Sequence, residues 1–270
     1  PDSFSFRVSI RGGGLKDLVL NYPYVFEVVE PEDIALPQHA GEGGATPQRA
    51  PAPVAPCEDA PVVCVIDSGV QEGHVLLAAA VDTGASRCFL PSRTQEDIAD
   101  EVRPGGHGTR VAGALLYGET VPIDGTPQLP YWIQNARVLD EQNSMPIELF
   151  PPAVTKAVVE HGHFGDRGTR IFNHSVNSTG CCRTRYMSAW AAEIDQLCHQ
   201  HDILFIQSAG NIPATSTAPF IGIKEHLSAD RHFPKYLSED ACRIANPGQS
   251  LQALTVGSIA YGLLEANGWR

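Results

Sequence analysis

Three short segments of this 270-residue sequence pair a chemically active side chain with a backbone setting that would hold it still. Asp67 follows the apolar run Val62-Val63-Cys64-Val65-Ile66 and precedes Ser68-Gly69, so it stands at the carboxyl end of an expected strand. In open α/β sheets that edge hosts ligands and catalytic groups. Alone, D-S-G fits catalysis, metal binding, phosphate chemistry or a plain turn. His107 lies in Gly105-Gly106-His107-Gly108-Thr109-Arg110-Val111-Ala112-Gly113-Ala114. Its flanking glycines let the chain turn sharply into a helix, and Ala112 and Gly113 let that helix pack closely on a sheet. A histidine fixed there can turn one ring nitrogen to a carboxylate and the other to a nucleophile, as a general base requires. Asn211 ends the apolar run Ile203-Leu204-Phe205-Ile206 through Gln207-Ser208-Ala209-Gly210. Its amide can donate to the oxyanion formed when a carbonyl is attacked. An isolated match would be only a turn residue closing a strand.

These residues need a scaffold, and the hydrophobic pattern supplies one. Strands are expected at 62–66, 133–139, 171–173, 203–207 and 253–256, with helices near 108–117, 151–160 and 188–198. Short, uniformly apolar strands separated by helices predict an open, mostly parallel α/β sheet covered on both faces. Ahead of it, residues 1–36 read as a small α/β piece. Phe4, Phe6, Val8 and Ile10 alternate as in a strand, Leu15 to Leu20 fit a short helix, and Val25, Phe26, Val28 and Val29 fit a second strand. Residues 37–60, with the run GEGGATPQRAPAPVAP, have the composition of an extended linker. The main domain is therefore expected over 61–270.

Composition narrows the function classes. A net charge of -12 argues against a nucleic-acid or anionic-membrane partner and leaves peptides as ligands. No apolar run reaches the roughly 20 residues of a membrane span. Seven cysteines cannot all pair, and no C-x-x-C is present, so scattered free thiols and a reducing, cytoplasmic location are expected. His161, His163, His174 and Asp166 lack a companion pair at ligand spacing and are read as ordinary histidines and a loop acid. Neither a metal site nor a cofactor is expected, and no carboxylate-rich loop marks a calcium site.

Together the three segments resemble the subtilisin-like serine peptidases (subtilases), whose patterns are a strand ending in D-[ST]-G, a helix starting H-G-T-x-V-A-G, and a strand ending in A-G-N. The likeness runs from about Val62 to Ile259 and includes the segment LTVGS. It implies a subtilisin-like fold in which Asp67 orients His107, His107 is general base and then acid, and Asn211 completes the oxyanion hole. Segment 170–177 is similar to the family strand ending in S-[LM]-G, which makes Ser175, Val176 and Asn177 the expected substrate-binding edge, to which an extended peptide would add as a strand. Asn177 stands where glycine is usual.

The family's nucleophilic serine lies in G-T-S-x-A, and no such segment occurs here. The likeness is still running at the last residues, so the expectation is a peptidase domain cut before its serine, inactive by itself, belonging to a serine endopeptidase. An inactive relative that binds peptides or a partner protein is the alternative. The run Leu18 to Pro31 resembles the tail of a subtilase propeptide, which implies an inhibitor acting in cis.

Overall fold

The computed structural model describes residues 6–25, 27–30, 34, 52–103, 106–118, 120–122, 124–212, 216, 221–258, 264–265 and 268–269. It divides into two compact units, residues 1–31 and 32–270.

Among the described residues of the first unit the one regular element is α1 (Gly12–Asn21), opened by the bond from Leu15 N to Arg11 O at 2.9 Å. The two strands expected beside it do not form among the described residues. Phe6, Val8 and Ile10 are 67%, 50% and 46% exposed, so their alternation marks no buried sheet face, and without one it does not specify a strand. Phe4 and Phe26 lie outside the described residues.

The second unit is built on β1 (Val62–Asp67), β2 (Arg87–Cys88), β3 (Trp132–Arg137), β4 (Ile171–His174), β5 (Leu204–Ser208) and β6 (Leu254–Val256). They form one parallel sheet in the order β2-β3-β1-β4-β5-β6. Helices α2 (His107–Tyr117), α3 (Pro151–His163), α4 (Ala189–His201) and α5 (Ile223–Ser228) follow in chain order. A two-residue antiparallel pair, β7 (Leu264–Glu265) and β8 (Gly268–Trp269), lies beyond β6.

The uniformly apolar strands have a simple cause. Successive side chains of β1 leave opposite faces of the sheet. Cys64 and Ile66 pack with Phe172, Phe205 and the α3 and α4 residues Val158, Trp190, Ile194 and Leu197. Val65 packs with Ile133, Ala112 and Leu116 on the α2 side. Both faces are covered, so neither can be polar, and at about 25 cal/mol per Å² of apolar surface this burial is the main stabilising term. Trp190 Nε1 donates to Thr155 Oγ1 at 2.8 Å, tying α4 to α3 inside the core.

Residues 52–60, part of the segment expected to be an extended linker, are tied to neighbouring chain at Val54. Val54 N donates to Pro127 O at 2.9 Å and Leu129 N to Val54 O at 3.0 Å, and Pro56 is buried. Proline-rich chain can still place its remaining backbone groups on a neighbouring strand-like segment. Residues 37–51 lie outside the described residues. Among the described residues no helix is long and apolar enough to cross a membrane.

Candidate active site

β1 and α2 bring Asp67 and His107 together. Asp67 is the last residue of a central strand and has no exposed surface. His107 is the first residue of α2, whose preceding residue, Gly106, is extended. The imidazole Nδ1 lies 2.8 Å from Asp67 Oδ2 and 3.0 Å from Oδ1. Facing a carboxylate, Nδ1 carries the proton and donates, which puts the basic lone pair on Nε2. Asp67 Oδ1 also accepts from Ser68 N at 2.8 Å, so the acid is held from two sides.

Helix α2 can sit this close because Gly108 has no side chain. A β-carbon there would lie 2.2 Å from Gly69 O and 3.0 Å from Asp67 Cβ. Ser68, given no role by the sequence reading, accepts from Gly108 N through its hydroxyl at 3.1 Å. It thereby caps the helix from the strand that carries the acid, since glycine at the cap position offers no side-chain acceptor of its own.

The pKa of His107 is raised above its ordinary value. Burial, the largest effect, pulls it down, but the hydrogen bond and charge of Asp67 together with the charge of Asp100 outweigh burial, and Arg110 opposes them slightly. The ring keeps 23% of its surface exposed. A base of raised pKa, held in one tautomer and reachable from outside, is suited to take a proton from a nucleophile and return it to a leaving group.

Asn211 follows β5 on an exposed loop. All six strands are parallel, so it shares the carboxyl edge with Asp67, two strands away, or about 10 Å along the edge at the usual spacing. The backbone entering this loop is fixed by Ala209 N to Val256 O at 2.9 Å and Ala245 N to Ala209 O at 2.9 Å.

Ser175, Val176 and Asn177 leave the same edge from β4, but their side chains differ in fate. Ser175 is half-buried, while Val176 is fully buried in the core with its carbonyl accepting from Gln207 Nε2 at 3.2 Å. Asn177 is buried and donates through Nδ2 to Ser208 O at 2.8 Å. The ladder between β4 and β5 ends at the pair His174 and Gln207, joined through His174 Nδ1 and Gln207 Oε1 at 2.6 Å. Side-chain amides then lace the two strands where the regular ladder stops. Val176 and Asn177 therefore turn their side chains to protein.

Among the described residues no three His, Cys, Asp or Glu side chains gather as a metal set. His161 Nε2 instead lies 3.0 Å from Ala85 O, and His163 packs on Phe164 and His201. All seven cysteines are free thiols, and burial pushes Cys64 far up and Cys198 up to about 11, so neither is a nucleophile at neutral pH.

A family model described as the subtilase family matches residues 58–263. A curated protein of Sinorhizobium fredii (strain NBRC 101917 / NGR234), named y4bN and described as uncharacterized, is 34% identical over 77 residues, which are 28% of this chain and 16% of that protein. Among solved structures, a cold adapted subtilisin-like serine proteinase is 17% identical, with 85% of this chain and 62% of that one covered and a TM-score of 0.44. The epidermin leader peptide processing serine protease of Staphylococcus aureus is 17% identical, with 78% and 47% covered and a TM-score of 0.45. The S41 psychrophilic protease is 19% identical, with 77% and 56% covered and a TM-score of 0.47. The chain thus spans 16% of the curated relative and about half the length of these structures.

Proposed function

This chain belongs to the subtilase family, and on that premise we propose that the protein is a serine-type endopeptidase that hydrolyses peptide bonds through an acyl-enzyme. The observation that carries the reading is the contact of a wholly buried Asp67 with Nδ1 of a partly exposed His107. In this reading Asp67 fixes the tautomer and stabilises the imidazolium, and His107 deprotonates the serine and then protonates the leaving amine. Asn211 donates to the oxyanion, and the backbone of residues 175–177 pairs with the substrate chain. The serine comes from outside these 270 residues, which hold no G-T-S-x-A segment. The isolated segment is then inactive.

That same missing motif favours a second reading, a subtilase-like module that binds peptides without cutting them. The two separate in one experiment. The full-length protein is incubated with a mixture of unstructured peptides, and new termini are identified by mass spectrometry. Cleavage at internal peptide bonds, absent with the 270-residue segment alone, is the expected result. Retention of peptides with no new termini would replace the peptidase by the binding module.

A further inference from the structure

A second buried carboxylate is built against the helix that carries His107. Asp100 is 2% exposed, and its Oδ2 accepts from Thr109 N at 3.1 Å and from Thr109 Oγ1 at 2.9 Å. Its Oδ1 accepts from Val102 N at 3.3 Å. Thr109 is the third residue of α2, so a side chain from a separate loop satisfies a helix N–H that Gly106 cannot. An acid at that end is also favoured by the helix dipole.

The fit against Gly106 is close. A β-carbon at residue 106 would lie 1.5 Å from Asp100 Oδ2, so the carboxylate occupies the space a side chain would fill immediately before His107. Any other residue at 106 would evict the acid or unseat the helix start.

The loop holding Asp100 is anchored from the sheet on both sides of it. Asn135 Nδ2 donates to Ile98 O at 2.7 Å, and the buried Arg137 donates from Nη1 to Asp97 O at 3.0 Å and from Nη2 to Glu101 Oε2 at 2.8 Å. Gln71, just beyond the Asp67 turn, donates to Asp100 O through Nε2 and to Thr109 Oγ1 through its backbone N–H. The Asp100 loop, the Asp67 turn and the first turn of α2 are thus one hydrogen-bonded body.

We propose that Asp100 is a positioning residue for His107, capping α2 from the side so that the imidazole is held on Asp67, with the Asp100 charge acting on the ring as well. The inference rests on the peptidase reading only for its consequence in catalysis. Among the described residues, Asp67 from β1, Asp100 from the loop and Arg110 from α2 itself are charged groups acting on His107, and the charge of Asp100 favours the imidazolium.

Two variants divide the cap from the charge. Asp100→Asn keeps an oxygen able to accept from Thr109 but removes the charge, whereas Asp100→Ala removes both. The full-length protein is labelled at histidine, and the His107 imidazole is titrated by NMR beside kcat and KM measured across pH. In Asp100→Asn the His107 midpoint moves to lower pH and the acid limb of kcat/KM moves with it. In Asp100→Ala the same displacement is joined by a fall in kcat of about tenfold or more with KM nearly unchanged, as loosened orientation at the reacting group requires. If Asp100→Ala fails to fold, the Asn variant still reads the midpoint. An unmoved His107 midpoint in a folded Asp100→Asn protein overturns the proposal. A wild type that cleaves nothing, with the midpoint still displaced in the variant, removes the peptidase reading and leaves Asp100 coupled to His107.

Discussion

Replacing His107 with alanine in the full-length protein is expected to lower kcat/KM on a cleavable peptide by about 10⁴-fold or more, a magnitude taken over from subtilisin itself. The reason lies in the proton. Without the imidazole an attacking serine loses its general base, and the alkoxide is inaccessible at neutral pH. Asp67→Asn tests the same unit from beneath. An amide nitrogen facing Nδ1 favours the other tautomer and leaves no lone pair on Nε2, with an expected loss of about 10⁴-fold although the ring stays in place. The double variant should fall no further than the worse single one, because the two side chains act as a unit. Steady-state kinetics with one peptide on all three variants checks this. Losses under tenfold, or losses that multiply, would show that Asp67 and His107 are not the general-base pair.

The second large effect concerns stability. His174 is 1% exposed, packed edge-on to Trp190 and bonded to Gln207. Burial pushes its pKa down to about 4, against smaller upward pulls from the Gln207 bond and the Asp67 charge. The ring is therefore neutral in the fold while the unfolded chain titrates near 6.5. Between those values the unfolded state binds the additional proton, so stability falls as pH falls, by about 1.4 kcal/mol per pH unit and about 3 kcal/mol in all. Above pH 6.5 the group contributes no slope. His107 acts in the opposite sense and in another window. Its raised pKa gives stability that is present below about 6.5 and is lost as pH rises through the folded value. Urea unfolding of the wild type and of His174→Met from pH 7.5 to 4 isolates the His174 contribution as a difference. The wild type should lose about 3 kcal/mol more than the variant over that range. Parallel curves would mean that His174 is protonated in the fold or is not buried.

The site was legible in the sequence where its logic is local. A strand run-out into D-S-G and a histidine between glycines at a helix start each state their own geometry, and the structure places Asp67 and His107 in contact. The sheet was legible because a parallel sheet covered on both faces leaves no polar alternation to misread, and the expected main strands lie within two residues of those observed, while α3 and α4 run three residues further than expected. Asp100 was not legible. It is one of four acids between residues 95 and 103, and nothing local separates it from Glu96, Asp97 and Glu101. Only the approach of Gly106 and Thr109 selects it. The His174 and Gln207 pair was equally hidden, because a histidine and a glutamine on two strands become partners only through the register of β4 with β5. At the other extreme, the alternation around Phe6, Val8 and Ile10 was a clear local signal with no strand behind it among the described residues. Periodicity specifies a strand only when a sheet face is there to bury it.

If Asp67 and His107 activate a serine, that serine is open to covalent capture. Full-length protein is treated with a fluorophosphonate probe beside His107→Ala, and the labelled residue is identified by mass spectrometry. One serine labelled in the wild type, and not in the variant, is the predicted result. A folded wild type that takes up no label, or that labels equally with and without His107, would contradict it.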